Sequence, residues 1–172
     1  MVNIRKAQRE DALGITIVQV YTWKTTYEGV MPDEMINIRI EELRERAERC
    51  RKDIETQNDY IVAVEGDTVV GMCRYGTSRN DDYKGSGEIY AIYVLKGYQG
   101  TGVGKKLFLS ALDKLSDMGK SSMILNCLKG NDAIGFYKAM GGKIVGHRSD
   151  NIKGGVIEED ILYFDISKKG VD

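Results

Sequence analysis

The sequence predicts a mixed α/β fold, on three observations. Helix-forming runs come early, between about residues 11 and 55. A meander of strand-like runs follows, and the chain then alternates strand, helix, strand, helix, strand. Within that alternation, Glu88 to Leu128 has the length of a parallel βαβ crossover.

The elements follow in order. Val2 to Ala7 is a short β-like segment with Val2 and Ile4 at alternate positions. Asp11 opens a helix predicted to run to about Trp23, with Leu13, Ile17, Val20 and Tyr21 on one stripe. The next stretch, TWKTTYEGVMPDEM, reads as a loop and holds the one proline, Pro32. From Asp33 to about Glu55 one charged helix is expected, with Met35, Ile36, Ile40, Leu43 and Ala47 at helical spacing and the charges on a solvated face. Tyr60–Val64 and Thr68–Tyr75 flank Glu65-Gly66-Asp67, a hairpin signature. Ser78 to Gly87 reads as a loop, Glu88 to Leu95 as a strand, and Lys105 to Met118 as a helix. Ser121–Leu128 is a strand with Met123, Ile124 and Leu125 buried. Asn131–Met140 is a short helix stopped by Gly141-Gly142, as a left-handed C-terminal cap requires. Lys143 to Gly146 begins a strand, Gly154-Gly155 turns the chain, and Ile157–Ile166 forms the last strand. No repeat or linker divides the chain, so a single domain over residues 1–172 is expected.

Composition narrows the function. The chain has 25 Lys and Arg against 26 Asp and Glu, a net charge of −1, which gives no sequence-independent grip on nucleic acid. The three cysteines, Cys50, Cys73 and Cys127, are scattered, and there is one histidine, His147. Neither fits a Cys/His metal site, and free thiols point to a reducing compartment. No run reaches the roughly 18 apolar residues of a membrane span. A soluble cytoplasmic protein, with no nucleic-acid, membrane or metal partner, is expected.

The most informative stretch is Gly87 to Lys106, GEIYAIYVLKGYQGTGVGKK. A strand feeds a glycine-rich turn that opens a helix. First-turn N–H groups have no intrahelical partner, so they bind anions, and glycine removes the Cβ that would hold an oxyanion away. Two nucleotide fingerprints fail here. For GxGxxG, Gly100 and Gly102 fit but the third position is Lys105. For GxxxxGK[ST], the first glycine falls on Gln99 and the last position is Lys106. What fits is Gln-x-x-Gly-x-Gly: Gln99, Gly100, Thr101, Gly102, Val103, Gly104.

That pattern resembles the acetyl-CoA motif of the GCN5-related N-acetyltransferase (GNAT) superfamily. The opening Ile4-Arg5-Lys6-Ala7 followed by Asp11 is similar to that family's first strand and helix start. EIYAIYV ends a few residues before the turn, as in the family. Asn131-Asp132-Ala133-Ile134-Gly135-Phe136-Tyr137 resembles its second cofactor helix. Gly142 departs from the large apolar residue common there. The resemblance implies a central, mostly antiparallel sheet with helices on both faces.

It also implies a site. The amides of Gly100, Thr101, Gly102, Val103 and Gly104 would take the pyrophosphate of acetyl-CoA, with Gln99 opening the turn and Lys105 adding charge. Backbone groups of Tyr93, Val94 and Leu95 would pair with the pantetheine arm, and Asn131 and Phe136 would reach the cofactor. A backbone N–H near Val94 would steady the oxyanion. A primary amine is protonated at neutral pH, with a pKa of about 10.4, so a proton acceptor is needed. Glu88 matches the spacing of the family's catalytic glutamate, and Tyr137 matches its tyrosine acid. A core tyrosine and a solvent-facing glutamate are the plain alternatives.

The expected reaction is transfer of acetyl to a primary amine of a small molecule or peptide, with coenzyme A as product. A non-catalytic acyl-CoA-binding regulator and a nucleotide-binding module are the rivals, and a homodimer is left open. Trp23, Tyr27 and Tyr90 offer aromatic surface to a cationic acceptor, and Glu28, Asp81, Asp82, Glu158, Glu159 and Asp160 offer charge. Scattered acids on a near-neutral protein are more often plain surface, and a structural role is expected for His147.

Overall fold

The computed structural model describes residues 1–167. Its strands are β1 (Asn3–Lys6), β2 (Tyr60–Glu65), β3 (Thr68–Thr77), β4 (Gly87–Val94), β5 (Ser122–Leu128), β6 (Lys143–Ile152) and β7 (Gly155–Asp165). The helices are α1 (Ala12–Tyr27), α2 (Asp33–Glu41), α3 (Leu43–Thr56), α4 (Val103–Asp117) and α5 (Ala133–Ala139). The strands form one seven-stranded sheet in the order β1-β2-β3-β4-β5-β7-β6. The pairs β1–β2, β2–β3, β5–β7 and β6–β7 are antiparallel, while β4–β5 is parallel. The mixed α/β class and the parallel crossover are as the sequence predicts. The parallel register runs from Gly87↔Met123 to Ile89↔Leu125, although β4 continues to Val94.

The chain packs as two compact units. The first comprises Met1–Arg74 and Ala91–Ala111. Its core joins Ile15 and Val18 of α1, Cys50 and Ile54 of α3, and Val62, Val64 and Met72 of the β2–β3 hairpin. Gly66, at φ 57°, makes the turn of that hairpin. An Arg5–Asp11 ion pair fixes the entry to α1. Asp11 accepts both guanidinium arms, at 2.6 and 2.9 Å, and the Gln8 N–H at 2.7 Å. Burial works against the Asp11 carboxylate, but these three donors win and hold its pKa below the usual value.

Three sequence expectations fail in this unit. Val20 is buried as expected, but Leu13 and Tyr21 are exposed, and α1 instead buries Ala12, Ile15 and Val18. The helix also runs four residues past Trp23, so the loop shrinks to about Glu28–Pro32. The charged helix is two helices, broken at Glu42 (φ −85°, ψ 11°). The run Ile40–Arg46 carries no glycine or proline, so packing rather than a breaker residue sets the bend.

The second unit comprises Tyr75–Tyr90 and the chain from Leu112 onward. Met123, Ile124 and Leu125 of β5 are buried, as expected, with Leu162 and Phe164 of β7. The β6–β7 hairpin is longer than predicted, pairing from Lys143↔Tyr163 to Ile152↔Gly155. Gly141, at φ 99°, ends α5 in the left-handed cap that the sequence calls for. Gly142 has a separate reason. A Cβ there would lie 2.6 Å from the Phe164 ring and 2.9 Å from the Tyr137 carbonyl. The missing large residue is thus replaced by the Phe164 ring itself.

Candidate active site

The glycine turn belongs to the first unit. After β4, residues 96–98 make a 3-10 turn, and α4 starts at Val103, two residues earlier than predicted. Gly100 (φ 73°) and Gly102 (φ 86°) take the left-handed region that disfavours other residues. A Cβ at either would meet nothing within 4 Å, so backbone conformation, not crowding, selects glycine. Lys106 N–H bonds the Gly102 carbonyl at 3.0 Å. Val103, Gly104 and Lys105 therefore lie in the first turn, where an α-helix offers N–H groups no carbonyl. Gln99 locks the turn to the strand: its Nε2 donates to the Val94 carbonyl at 3.0 Å. Thr101 Oγ1 donates to the Tyr98 carbonyl at 2.6 Å. Val103 is buried, whereas Lys105 and Lys106 are exposed. The Leu95 N–H donates to Val70 O at 2.9 Å, and the Leu95 carbonyl accepts the Tyr98 N–H at 2.8 Å.

Trp23, on α1, donates its indole N–H to the Tyr93 hydroxyl of β4 at 2.8 Å. The Arg39 guanidinium lies 3.5 Å over the Trp23 ring, and Tyr27 packs edge-on at 5.0 Å. In the second unit Arg79 lies 4.2 Å over the Tyr90 ring. The protein's own arginines thus occupy two of the aromatic faces expected to receive a cationic acceptor.

Glu88 sits near the start of β4 and is only 2% exposed. The Arg79 backbone N–H donates to one carboxylate oxygen at 2.8 Å, and Arg79 Nη2 to the other at 2.7 Å. The sequence suggests a base facing the amine; the structure gives a buried carboxylate clamped on an arginine. Asn131 caps α5, its Oδ1 accepting the Ala133 N–H at 2.9 Å. Phe136 is half-buried and edges the Tyr137 ring at 5.4 Å. Tyr137 is 8% exposed, and its carbonyl accepts the Gly142 N–H at 3.0 Å.

The second unit also holds a cavity of about 270 Å³. Arg79, Tyr90 and Asn126 line one part, Arg148, Asp150 and Glu159 another, and Ile89 adds an apolar wall. Strand register builds it: Arg148 stands opposite Glu159, and Asp150 lies two residues along β6. Arg148 reaches Asp150 at 3.1 Å and Glu159 at 3.4 Å. Glu159 has its pKa raised, first by burial and then by Asp150 and Glu88, against the pull of Arg148 and Arg79. Asn126 Oδ1 is buried with no hydrogen-bond partner. Sequence reasoning singled out Glu159 and Tyr90 but missed Arg79, Asn126, Arg148 and Asp150. The β-alternation of Arg148 and Asp150 would have put them on one face, had the strand been followed past Gly146.

Asp81 and Glu158 behave as surface, whereas the Asp160 side chain is largely covered. Asp81 pairs with Lys84 at 3.2 Å, and Glu158 with Lys129 at 3.3 Å. Asp160 contacts His147 Nδ1 at 2.6 Å. Among the described residues, no group of three or more His, Cys, Asp or Glu side chains could hold a metal, and no helix is long and apolar enough to cross a membrane.

Comparison with known proteins agrees with the fold. The chain is 29% identical over 160 residues to the uncharacterized N-acetyltransferase YuaI of Bacillus subtilis (strain 168), covering 92% of this chain and 90% of that one. The PaiA N-acetyltransferase of Thermoplasma acidophilum, solved with coenzyme A, has the same fold. Its TM-score is 0.76 at 21% identity, over 96% of this chain and 99% of that one. YncA of Salmonella typhimurium, solved with its cofactor acetyl-CoA, superposes with a TM-score of 0.70 at 20% identity, over 99% and 96% of the two chains. Residues 21–142 match the profile described as the Acetyltransferase (GNAT) family. That match takes in the end of α1, α2 through α5 and the whole glycine turn, and the chain belongs to the GNAT acetyltransferase family.

Proposed function

We propose that residues 1–172 form a single acetyl-CoA-dependent N-acetyltransferase domain that acetylates a primary amine of a small molecule or peptide. The observation that carries this is the turn Gln99–Gly104. Two left-handed glycines lead into the first turn of α4, which suits the residues to a pyrophosphate. PaiA and YncA, bound to CoA and acetyl-CoA, support the same reading.

In this reading the N–H groups from Gly100 to Gly104 hold the phosphates and Lys105 adds charge. Backbone groups of Tyr93, Val94 and Leu95 pair with the pantetheine amides. Asn131 and Phe136 contact the cofactor from α5. Bound acetyl-CoA supplies the acetyl group as an activated thioester. Tyr137 Oη holds the proton that the departing sulfur takes up, a general-acid role. Glu88 acts through Arg79, whose position its carboxylate fixes.

Calorimetric titration tests the cofactor. CoA and acetyl-CoA should bind in the micromolar range, ahead of ATP and NAD; no binding below millimolar overturns the proposal. Tyr137→Phe should lower turnover on the order of 100-fold and leave CoA affinity nearly intact. Unchanged turnover removes the acid role.

A further inference from the structure

We propose that the exposed stripe of α1 is a homodimer interface, where α1 pairs antiparallel with α1 of a second copy of this chain about a two-fold axis at Ile17. That surface carries none of the residues assigned to the cofactor and is independent of the acetyltransferase reading.

The helix is apolar all round. It buries Ala12, Ile15, Val18, Val20 and Thr22 on several sides, and no charged residue stands between Asp11 and Lys24. One side stays open. Leu13 and Tyr21 are each 48% exposed, and Ile17 lies half-buried between them. Steps of four residues put the three on one stripe. Exposed apolar residues scattered singly are ordinary surface, but an aligned set on an uncharged helix is the pattern of a helix covered on every side. The stripe that the sequence suggests for the core thus largely faces outward.

Charge at the two ends of the stripe identifies what covers it. Glu10, in the turn Arg9–Asp11 that leads into α1, comes three residues before Leu13, and Lys24 comes three after Tyr21. Both are exposed. Arg9 is held by Glu55 at 3.1 Å, whereas Glu10 and Lys24 have no ion-pair partner among the described residues. The series Glu10, Leu13, Ile17, Tyr21, Lys24 is spaced three, four, four, three. It is symmetric about Ile17, with opposite charges at its ends. In an antiparallel pair Ile17 meets Ile17 on the axis, Leu13 meets Tyr21 twice, and Glu10 meets Lys24 at both ends. A parallel pair would set Glu10 on Glu10 and Lys24 on Lys24, which repel. The surface is therefore complementary to itself in one direction. At 1.5 Å per residue it is about 21 Å long. A single helix pair of that length is small for an interface, so the association falls in the micromolar range.

Sedimentation equilibrium on the full chain at low salt tests this. Across micromolar concentrations the mass should rise from 19.3 kDa toward twice that value. Glu10→Lys and Lys24→Glu should each weaken association roughly tenfold, because each turns both end pairs into like-charge pairs. An equimolar mixture of those two variants should associate again, since each then meets its opposite. A parallel pair would be indifferent to either change alone. Leu13→Glu, at an exposed position, should abolish association. Val156→Glu, 62% exposed on β7, should associate as the parent does. A chain that stays at 19.3 kDa throughout, as it would if the stripe served another partner, overturns the proposal. So does association that survives Leu13→Glu, or charge variants that do not recover on mixing. Should a charge variant fail to fold, the concentration series and Leu13→Glu still decide it.

Discussion

Glu159 illustrates how a site residue trades stability against readiness. Its burial, with Asp150 and Glu88 nearby, raises its pKa above the ordinary glutamate value of 4.5 while Arg148 and Arg79 oppose the shift. Cys127, whose thiol feels Glu159 and is itself raised to about 11, stays neutral across this range. The sign follows from proton linkage. The folded state binds the Glu159 proton more tightly than the unfolded state, so stability falls as pH rises from 4.5 through the raised pKa. Above that window the ionised carboxylate is a standing cost. Glu159→Gln should therefore raise Tm by roughly 2 °C at pH 8, with the gain shrinking toward pH 5. A melting series across pH checks this, and a lower Tm at pH 8 contradicts it. Legibility was uneven at this scale. Gln99, Gly100 and Gly102 were readable because the demand is local: a left-handed φ and a bond to the strand just left. Glu88 was readable in place but not in partner, since nothing in its spacing reveals that Arg79 reaches back across nine residues to cover it.

At the scale of elements, two glycines make a paired test. Gly142 lies where a Cβ would press on Phe164 and on the Tyr137 carbonyl. Gly142→Ala should cost about 1–3 kcal/mol, since α5 or β7 must give way. Gly104 lies in the first turn of α4, and a Cβ there would touch only Val94 Cγ2 at an ordinary 3.8 Å. Gly104→Ala should be neutral or stabilising by up to about 1 kcal/mol, through helix propensity. Urea denaturation of both variants checks the contrast; equal effects would break it. The hairpin at Gly66 and the stop at Gly141 were legible because glycine at positive φ marks them. The apolar stripe of α1 was not, because the helix is apolar on more than one side and its sequence does not say which side faces β2 and β3. The break at Glu42 left no mark, because every residue around it favours a helix.

Across the whole molecule, the architecture was legible from the alternation of periods, and the family from two segments, Gln99–Gly104 and Asn131–Gly142. The cavity of the second unit was not. Its walls come from residues 79, 90, 126, 148 and 159, which only strand order brings together. The thiols show a molecule-wide rule: all three cysteines are buried, and burial raises the pKa of Cys50 to about 11 and that of Cys73 further. Their role is packing rather than nucleophilic chemistry. Trp23 is the single tryptophan among 172 residues. Its indole is bonded to Tyr93 of β4 and covered by Arg39. The protein thus carries one native indole fluorophore, wired by a hydrogen bond to the strand proposed to receive the pantetheine arm. CoA added to the unlabelled protein should change tryptophan emission saturably, with the midpoint that calorimetry gives, and Tyr93→Phe should shift the emission before any ligand is present.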